Sequence, residues 1–380
     1  QKRYAESIQI LEPLVHDHPD TMTYRALLIV AYFHSSRGDE MKDLVKQTDE
    51  YFHKDGRWTE GNIAMFGNAC LDCDLAEKAS GYLNEAIALH QRANNQRVLN
   101  DGTLSEYYRH LAQAESKLKH TKLAVDAASS AVVCWGPTVS QRADALNNLR
   151  AVLASADDLT EYVKQWDAEV AKTGQDSPIL RKAIGQVYQQ QANQSGDNEA
   201  RRKASFEKAV EQLKLAADLQ GNDKELYEAL LNCYDALKKN AEATKQLEQL
   251  IAVNSHEIDL YRQLARRLND EPAEAERAIT SIVEVGAKEA ENHQALAEYR
   301  QQQNRWDEAI DQWQDVAKLR SLEPNGLLRL AEAQLHQKQW DAARKTIEKL
   351  ERTEWPSRFG NTYNEANNLQ QRLQRESAQR

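Results

Sequence analysis

The sequence predicts an all-α solenoid built from antiparallel helix hairpins. A set of alanines recurs at spacings of 34, 32, 34 and 34 residues: Ala209, Ala243, Ala275, Ala309 and Ala343. A fixed period of this length is the signature of stacked-repeat proteins, in which each unit packs only against its neighbours. Composition agrees, because only 14 Gly and 7 Pro occur among 380 residues and helix-forming residues dominate.

A pair of helices can be read within one repeat. The first helix carries an apolar face at i, i+3, i+4 and i+7, formed by Tyr227, Leu230, Leu231 and Tyr234. After a turn at Lys239-Asn240, the second helix carries the facing stripe of Ala243, Leu247 and Leu250. Neither helix can bury its stripe alone, so we expect hairpins that stack on one another.

The same frame orders the whole chain, because small residues recur twelve apart, as in Gly67 with Ala79 and Ala297 with Ala309. We predict the second helix of a truncated repeat, two sets of hairpins and a capping helix, over residues 1–19, 20–175, 176–357 and 358–380. The hairpin at 138–175 is degenerate, since its small-residue position is not clear. Insertions near 93–103 and 193–203 lengthen a connection and a hairpin. Because no first helix precedes Tyr4, we expect a segment of a larger protein.

Several stretches closely resemble the tetratricopeptide repeat (TPR) family: Asn304-Arg305-Trp306-Asp307-Glu308-Ala309-Ile310, Lys338-Gln339-Trp340-Asp341-Ala342-Ala343, and Ile184-Gly185-Gln186-Val187-Tyr188. The resemblance covers nearly the whole chain. It implies a right-handed superhelix with a concave groove lined by the first helices. It also implies binding of a protein or peptide partner rather than catalysis.

The resemblance also implies which residues face the partner. Carried onto this sequence, the groove positions are Arg25, Tyr32, Asn68, Arg109, Gln113, Lys182, Gln186, Glu228, Asn232, Arg262, Arg266, Gln294, Glu298 and Glu332. Arginines among them can meet the carboxylates of an acidic peptide. The alternative is a solvated face in which Arg262 pairs with Glu228 of the neighbouring hairpin.

Two functions follow from these observations. The first is a non-catalytic interaction scaffold that holds a peptide or protein partner in its groove. The second is a structural, regulatory or oligomerisation appendage of a larger multidomain protein. In this case the chain self-associates through its end hairpins, and the enzymatic or membrane-anchored part of the protein lies elsewhere. What lies outside this sequence distinguishes them.

Composition and motifs disfavour other classes. A net charge of −10 opposes nucleic-acid binding, and no run of 18 apolar residues predicts insertion into a membrane. Cys70 and Cys73 form a single CxxC inside a predicted helix and are interpreted as core residues. No catalytic, cofactor or metal motif is evident, so we expect neither an enzyme nor a cofactor. Four cysteines without a signal segment favour the cytoplasm.

Overall fold

The computed structural model describes residues 2–54, 56–135 and 142–378, and the chain divides into two compact units, Gln1–Gly221 and Asn222–Arg380. Over the described ranges it is all-α, without a strand. The first unit contains α1 (Lys2–Asp17), α2 (Met22–His34), α3 (Gly38–Lys54), α4 (Glu60–Asp72), α5 (Ala76–Ala93), α6 (Gly102–Lys117), α7 (Thr121–Val133), α8 (Arg142–Ser155), α9 (Leu159–Thr173), α10 (Pro178–Asn193) and α11 (Glu199–Leu219).

The second unit continues the alternation of first and second helices. It contains α12 (Lys224–Ala236), α13 (Asn240–Val253), α14 (Ile258–Arg267), α15 (Pro272–Val285), α16 (Ala290–Gln302), α17 (Trp306–Leu319), α18 (Asn325–His336), α19 (Trp340–Arg352), a short 3-10 helix (Ser357–Phe359) and α20 (Thr362–Ser377). The predicted TPR-like array of hairpins is therefore present in each unit. The sequence-based division between residues 175 and 176 falls between α9 and α10, inside the first unit.

Six hairpins share one kind of turn. The residue two before the second helix adopts a left-handed conformation, with φ between 57° and 64°, at Ser36, Asp74, Lys119, Lys238, Asn304 and Lys338. The next amide then donates back to the carbonyl five residues earlier, as Lys239 does to Tyr234 at 2.9 Å. This Schellman-type closure satisfies the last carbonyls of the first helix and reverses the chain within three residues.

The recurring alanines mark where the two helices of a hairpin touch. An alanine is the fourth residue of α5, α7, α13, α15, α17 and α19, and all six are buried: Ala79, Ala124, Ala243, Ala275, Ala309 and Ala343. The opposing position on the first helix is often small as well. A Cβ added at Gly185 would lie 2.6 Å from Cγ of Leu213 and 3.2 Å from the carbonyl oxygen of Ala209. We call these two sites the small-residue positions of a hairpin.

The α8–α9 hairpin breaks this rule on both helices. Tyr162 is the fourth residue of α9, and Arg150, twelve residues earlier, takes the opposing position on α8. Two large side chains prevent close approach, and α8 packs instead against α6, α7 and α10, with sparse contact to α9. This explains the degenerate hairpin predicted at 138–175, of which residues 138–141 lie outside the described part of the chain.

Polar side chains attach α9 to its surroundings in addition to its buried residues Leu159, Tyr162 and Val163. Lys122 on α7 lies 2.7 Å from Glu169, and Arg181 on α10 lies 2.6 Å from Asp167. The Trp166 indole N–H donates to Asp176 at 3.0 Å, just before α10. The helix is therefore fixed at several points along its length by charged and hydrogen-bonded groups.

Two irregular spacings have local causes. The 32-residue step between Ala243 and Ala275 arises because α14 has 10 residues whereas α12 has 13, which brings Ala265 to the small-residue position only ten residues before Ala275. In the α10–α11 hairpin, α11 has 21 residues and begins seven residues early, with Asn198 capping it by accepting from the amide of Arg201. The predicted insertion near 193–203 thus lies at the end of a lengthened hairpin.

A histidine holds the long connection between α5 and α6. His90 Nδ1 lies 2.7 Å from Glu60 Oε1, and its Nε2 lies 2.7 Å from Asp101 Oδ2. Tyr107 also donates to Glu60 at 3.0 Å, and Asp101 caps α6 through the amide of Leu104. Both ring nitrogens face carboxylates, an arrangement that suits the doubly protonated imidazolium.

The last helix covers the end of the second unit. Buried Ala366, Leu369 and Leu373 of α20 join one apolar cluster with Ile347 and Leu350 of α19. A helix with one apolar stripe and an otherwise polar surface shields the last hairpin from water. Among the described residues, no helix combines the length and the apolar character that crossing a bilayer requires.

The small-residue position gives a stability prediction. Replacing Ala275 by Leu inserts three carbons between α14 and α15, and we expect a loss of about 1–3 kcal/mol in the free energy of unfolding. Ala273→Leu is the matched control, since Ala273 is exposed on the same helix and its replacement should change little. Urea denaturation followed by circular dichroism measures both, and equal stability of the two variants would contradict the packing role.

The His90 contacts predict a pH dependence. Burial opposes the charged ring, but hydrogen bonds to Asp101 and Glu60 outweigh it and raise the pKa of His90 above its ordinary value. The imidazolium is then favoured by folding, so its contribution is complete below the unfolded pKa of about 6.5 and is lost as pH rises through the folded pKa. Unfolding of the natural chain and His90→Gln should therefore differ at pH 6 and converge toward pH 9. A constant difference would show that the ring acts through packing alone.

Candidate partner-binding face

The first helices of the first unit form a continuous surface, because α2, α4, α6, α8 and α10 pack side by side in that order. In this unit and in the second, the resemblance places partner contacts at the second, fifth, ninth and twelfth positions of each first helix. The fifth and ninth lie three residues before and one residue after the small-residue position. We call the surface formed by these residues and those between them the first-helix face. In the first unit the two positions hold Ala26, Val30, Ala64, Asn68, Arg109, Gln113, Asn147, Ala151, Lys182 and Gln186.

The structure revises the placement of Arg25 and Tyr32. Arg25 is 6% exposed and donates to the carbonyl of Pro19 at 2.7 Å, while Tyr32 is 8% exposed and donates to Glu12 of α1 at 2.8 Å. Both side chains are thus engaged inside the fold. The error is a register shift of one residue, since Ile29 takes the small-residue position of α2 and offers no small side chain to mark it.

The other predicted residues of this unit lie on the first-helix face. Asn68, Arg109, Lys182 and Gln186 are partly exposed, and Gln113 is exposed. Gln186 accepts a hydrogen bond of 3.2 Å from Arg150 of α8. Sequence reasoning missed several exposed or partly exposed residues of this face, among them Leu27, Val30, Met65 and Asn147. Counting back twelve residues from the fourth residue of the second helix locates them.

Unfilled hydrogen-bonding groups lie along three neighbouring first helices. Asn68 Oδ1 on α4, Arg109 Nε on α6 and Asn148 Oδ1 on α8 are buried atoms that have no hydrogen-bond partner within the described part of the chain. Each belongs to a side chain that is itself partly exposed. Buried polar atoms normally find partners, so this row of acceptors and a donor has bonding capacity that the protein itself does not use.

In the second unit the predicted charges largely neutralise one another. Arg262 lies 3.3 Å from Asp259 and 3.1 Å from Glu298, so the expected pair with Glu228 does not form. Glu228 lies instead 3.6 Å from Lys224. The reason is geometric, because Glu298 occupies the α16 position next to Arg262, and α14 packs against α16.

The remaining predicted residues of the second unit fall into two groups. Gln294 donates to Glu298 at 2.8 Å, and Glu332 lies 2.8 Å from Arg329. Asn232 and Arg266 are exposed. The Arg266 guanidinium donates to the carbonyl of Arg262 at 3.2 Å and, within residues 142–378, has no carboxylate at ion-pair distance. Arg266 is therefore more available to a ligand than Arg262.

The residues that could act as nucleophiles or metal ligands have structural roles instead. Cys70 and Cys73 are buried, and burial raises the pKa of each thiol to about 12, so neither is a ready nucleophile or metal ligand at neutral pH. Ser80 and His120 both bond to Glu115. The carboxylate lies between the hydroxyl and the ring, whereas an activated serine needs the imidazole next to it. Among the described residues, no group of three potential ligands is placed to hold a metal ion.

Comparisons with known proteins give remote likenesses only. No protein-family model matches the chain, and no curated protein matches it. A crystal structure of MamA is 16% identical over 45% of this chain and 94% of its own, with a TM-score of 0.29. Human IFIT1, as a dimer with PPP-AAAA, is 17% identical over 99% of this chain and 87% of its own, with a TM-score of 0.31. A monomeric IFIT1 mutant with Gppp-AAAA is 17% identical over 98% of this chain and 87% of its own, with a TM-score of 0.32. Because TM-scores this low carry no argument from similarity, the fold assignment rests on the helices and packing of this chain.

The ion pairs of the second unit predict different effects for its two arginines. Arg262→Glu places a third carboxylate beside Asp259 and Glu298, and we expect a loss of about 0.5–1 kcal/mol in the free energy of unfolding. Arg266→Glu breaks no ion pair among the described residues, but it places a negative charge in the last turn of α14, so we expect a smaller loss that comes from the helix dipole alone. Chemical denaturation at low and high salt measures both. If the Arg262 effect persists undiminished in high salt, repulsion between charges is not its cause.

Proposed function

We propose that this chain is a non-catalytic binding scaffold of the TPR type, which holds an extended segment of a protein partner on its first-helix face. The observation that most strongly supports this function is the row of polar atoms with unfilled hydrogen-bonding capacity at Asn68, Arg109 and Asn148. Each of these atoms is buried but belongs to a partly exposed side chain, so rotation of the side chain would present it to a peptide backbone, which offers both donors and acceptors.

Net charge favours a peptide over a nucleic acid as the ligand. The chain carries 59 acidic and 49 basic residues, a balance that repels a polyanion. The Gppp-AAAA and PPP-AAAA molecules in the IFIT1 structures are ligands of that protein.

Arg109 and Arg266 are the charged residues on which we expect binding to depend. Each presents a guanidinium without a carboxylate partner in the described part of the chain, so each can donate a bidentate pair of hydrogen bonds to a ligand carboxylate. Arg262 is less suitable as a probe, since its reversal also disturbs Asp259 and Glu298.

The test is an affinity capture with the purified chain as bait, read by mass spectrometry, beside Arg109→Glu and Arg266→Glu. We expect at least one of these variants to lose partners that the natural bait retains at the same salt, with unchanged helicity by circular dichroism. Arg92→Glu and Arg344→Glu are matched controls, because both arginines are exposed on second helices of the same two units.

The outcomes of these experiments distinguish the proposed function from the alternative functions. Partners retained by all variants would place binding away from the first-helix face. Absence of any specific partner favours a spacer or oligomerisation appendage. A titration with single-stranded RNA at physiological salt completes the set, and saturable binding there would overturn the preference for a peptide.

A further inference from the structure

Two exposed apolar side chains lie at one end of the first-helix face of the first unit. Leu27 on α2 is 53% exposed and Met65 on α4 is 37% exposed. Each lies two residues before the small-residue position of its helix, at Ile29 and Gly67, so the two occupy equivalent places. Because α2 packs directly against α4, these side chains belong to one local surface.

The neighbouring positions at this end are also uncharged. They are Val30 on α2 and Asn68 on α4, which are partly exposed, and Ala26 and Ala64, which are buried beside them. The first-helix face of the second unit differs, because charged residues occupy most of its equivalent positions. Burial of Leu27 and Met65 under a ligand would remove apolar surface from water, so this end of the face favours an apolar side chain.

The character of the face changes at α6. Arg109 takes the place that Ala64 has on α4, and within residues 56–135 no carboxylate lies at ion-pair distance from it. The nearest acid on its own helix, Glu106, lies 3.9 Å from His110. With Nε buried and unpaired, the Arg109 guanidinium lacks the planar carboxylate partner that suits it best.

Helix spacing converts this pattern into a ligand sequence. Packed helices lie about 8–10 Å apart, and an extended peptide advances about 3.3 Å per residue. A peptide that crosses from the α2–α4 end to α6 therefore uses about three or four residues. We infer that the first-helix face of the first unit selects extended peptides with an apolar residue and an acidic residue three or four positions apart. The apolar residue lies on Leu27 and Met65, and the acidic residue pairs with Arg109.

This inference rests on the proposed peptide-binding function, and a selection experiment tests it separately. A phage-displayed library of random peptides is selected on the intact purified chain, and the enriched sequences are aligned. We expect an apolar and an acidic position at the stated spacing, in either order along the peptide. A synthetic peptide of the consensus is then measured by fluorescence polarisation against variants of the chain.

The variants assign each half of the ligand. Leu27→Ser with Met65→Ser should weaken the consensus peptide about ten-fold, and should not affect a peptide whose apolar residue is Ser. Arg109→Gln should cause a similar loss that disappears when the peptide's acidic residue is Gln. Leu123→Ser is the control, since Leu123 is 54% exposed on α7, a second helix of the same unit.

Each outcome decides the matter. A consensus without an apolar position, or peptides insensitive to Leu27 and Met65, overturns this inference and leaves the binding-scaffold proposal standing. Loss of binding in Leu123→Ser also overturns it, because that leucine lines a separate cleft of about 450 Å³ with Tyr162 and Glu161. Failure to select any peptide removes both proposals.

Discussion

Close contact between two helices at one pair of small residues organises most hairpins of this protein. Where that pair is small, as at Ala297 with Ala309, the helices meet and the flanking apolar stripes interlock. A methyl group or a hydrogen at the contact permits the short distance, and the stripes supply the burial that stabilises it. Each contact then sets the register of the turn and of the residues that reach the first-helix face.

The α8–α9 hairpin shows what happens when this contact is lost. Arg150 and Tyr162 are too large for it, so α8 packs on its other neighbours and α9 is attached through ion pairs and an indole hydrogen bond. An array whose units touch only their neighbours tolerates such a change, since the adjacent hairpins retain their own contacts. The departure therefore remains local.

The equivalent positions of the first helices have different roles in the two units. In the second unit, arginines and glutamates on adjacent helices satisfy one another, as Arg262 and Glu298 do. In the first unit, an apolar end at Leu27 and Met65 gives way to amides and an arginine whose bonding capacity is unfilled. A surface that satisfies itself gains little from a ligand, whereas unfilled groups and exposed apolar side chains gain both hydrogen bonds and burial.

The sequence by itself determined the helical hairpins, because the alanine period, the twelve-residue spacing and the apolar stripes are local patterns that packing must satisfy. Gly67 and Ala112 mark the register from which the sequence assigns Asn68, Arg109 and Gln113 to the first-helix face. Ile29 carries no such mark, and the Arg25 and Tyr32 assigned on α2 are buried. Only the tertiary structure decided that Arg262 faces Glu298, that Arg266 has no carboxylate at ion-pair distance within the described part of the chain, and that α9 stands apart from α8. Those outcomes depend on which side chains of separate helices come within about 4 Å, a distance that spacing along the chain does not fix.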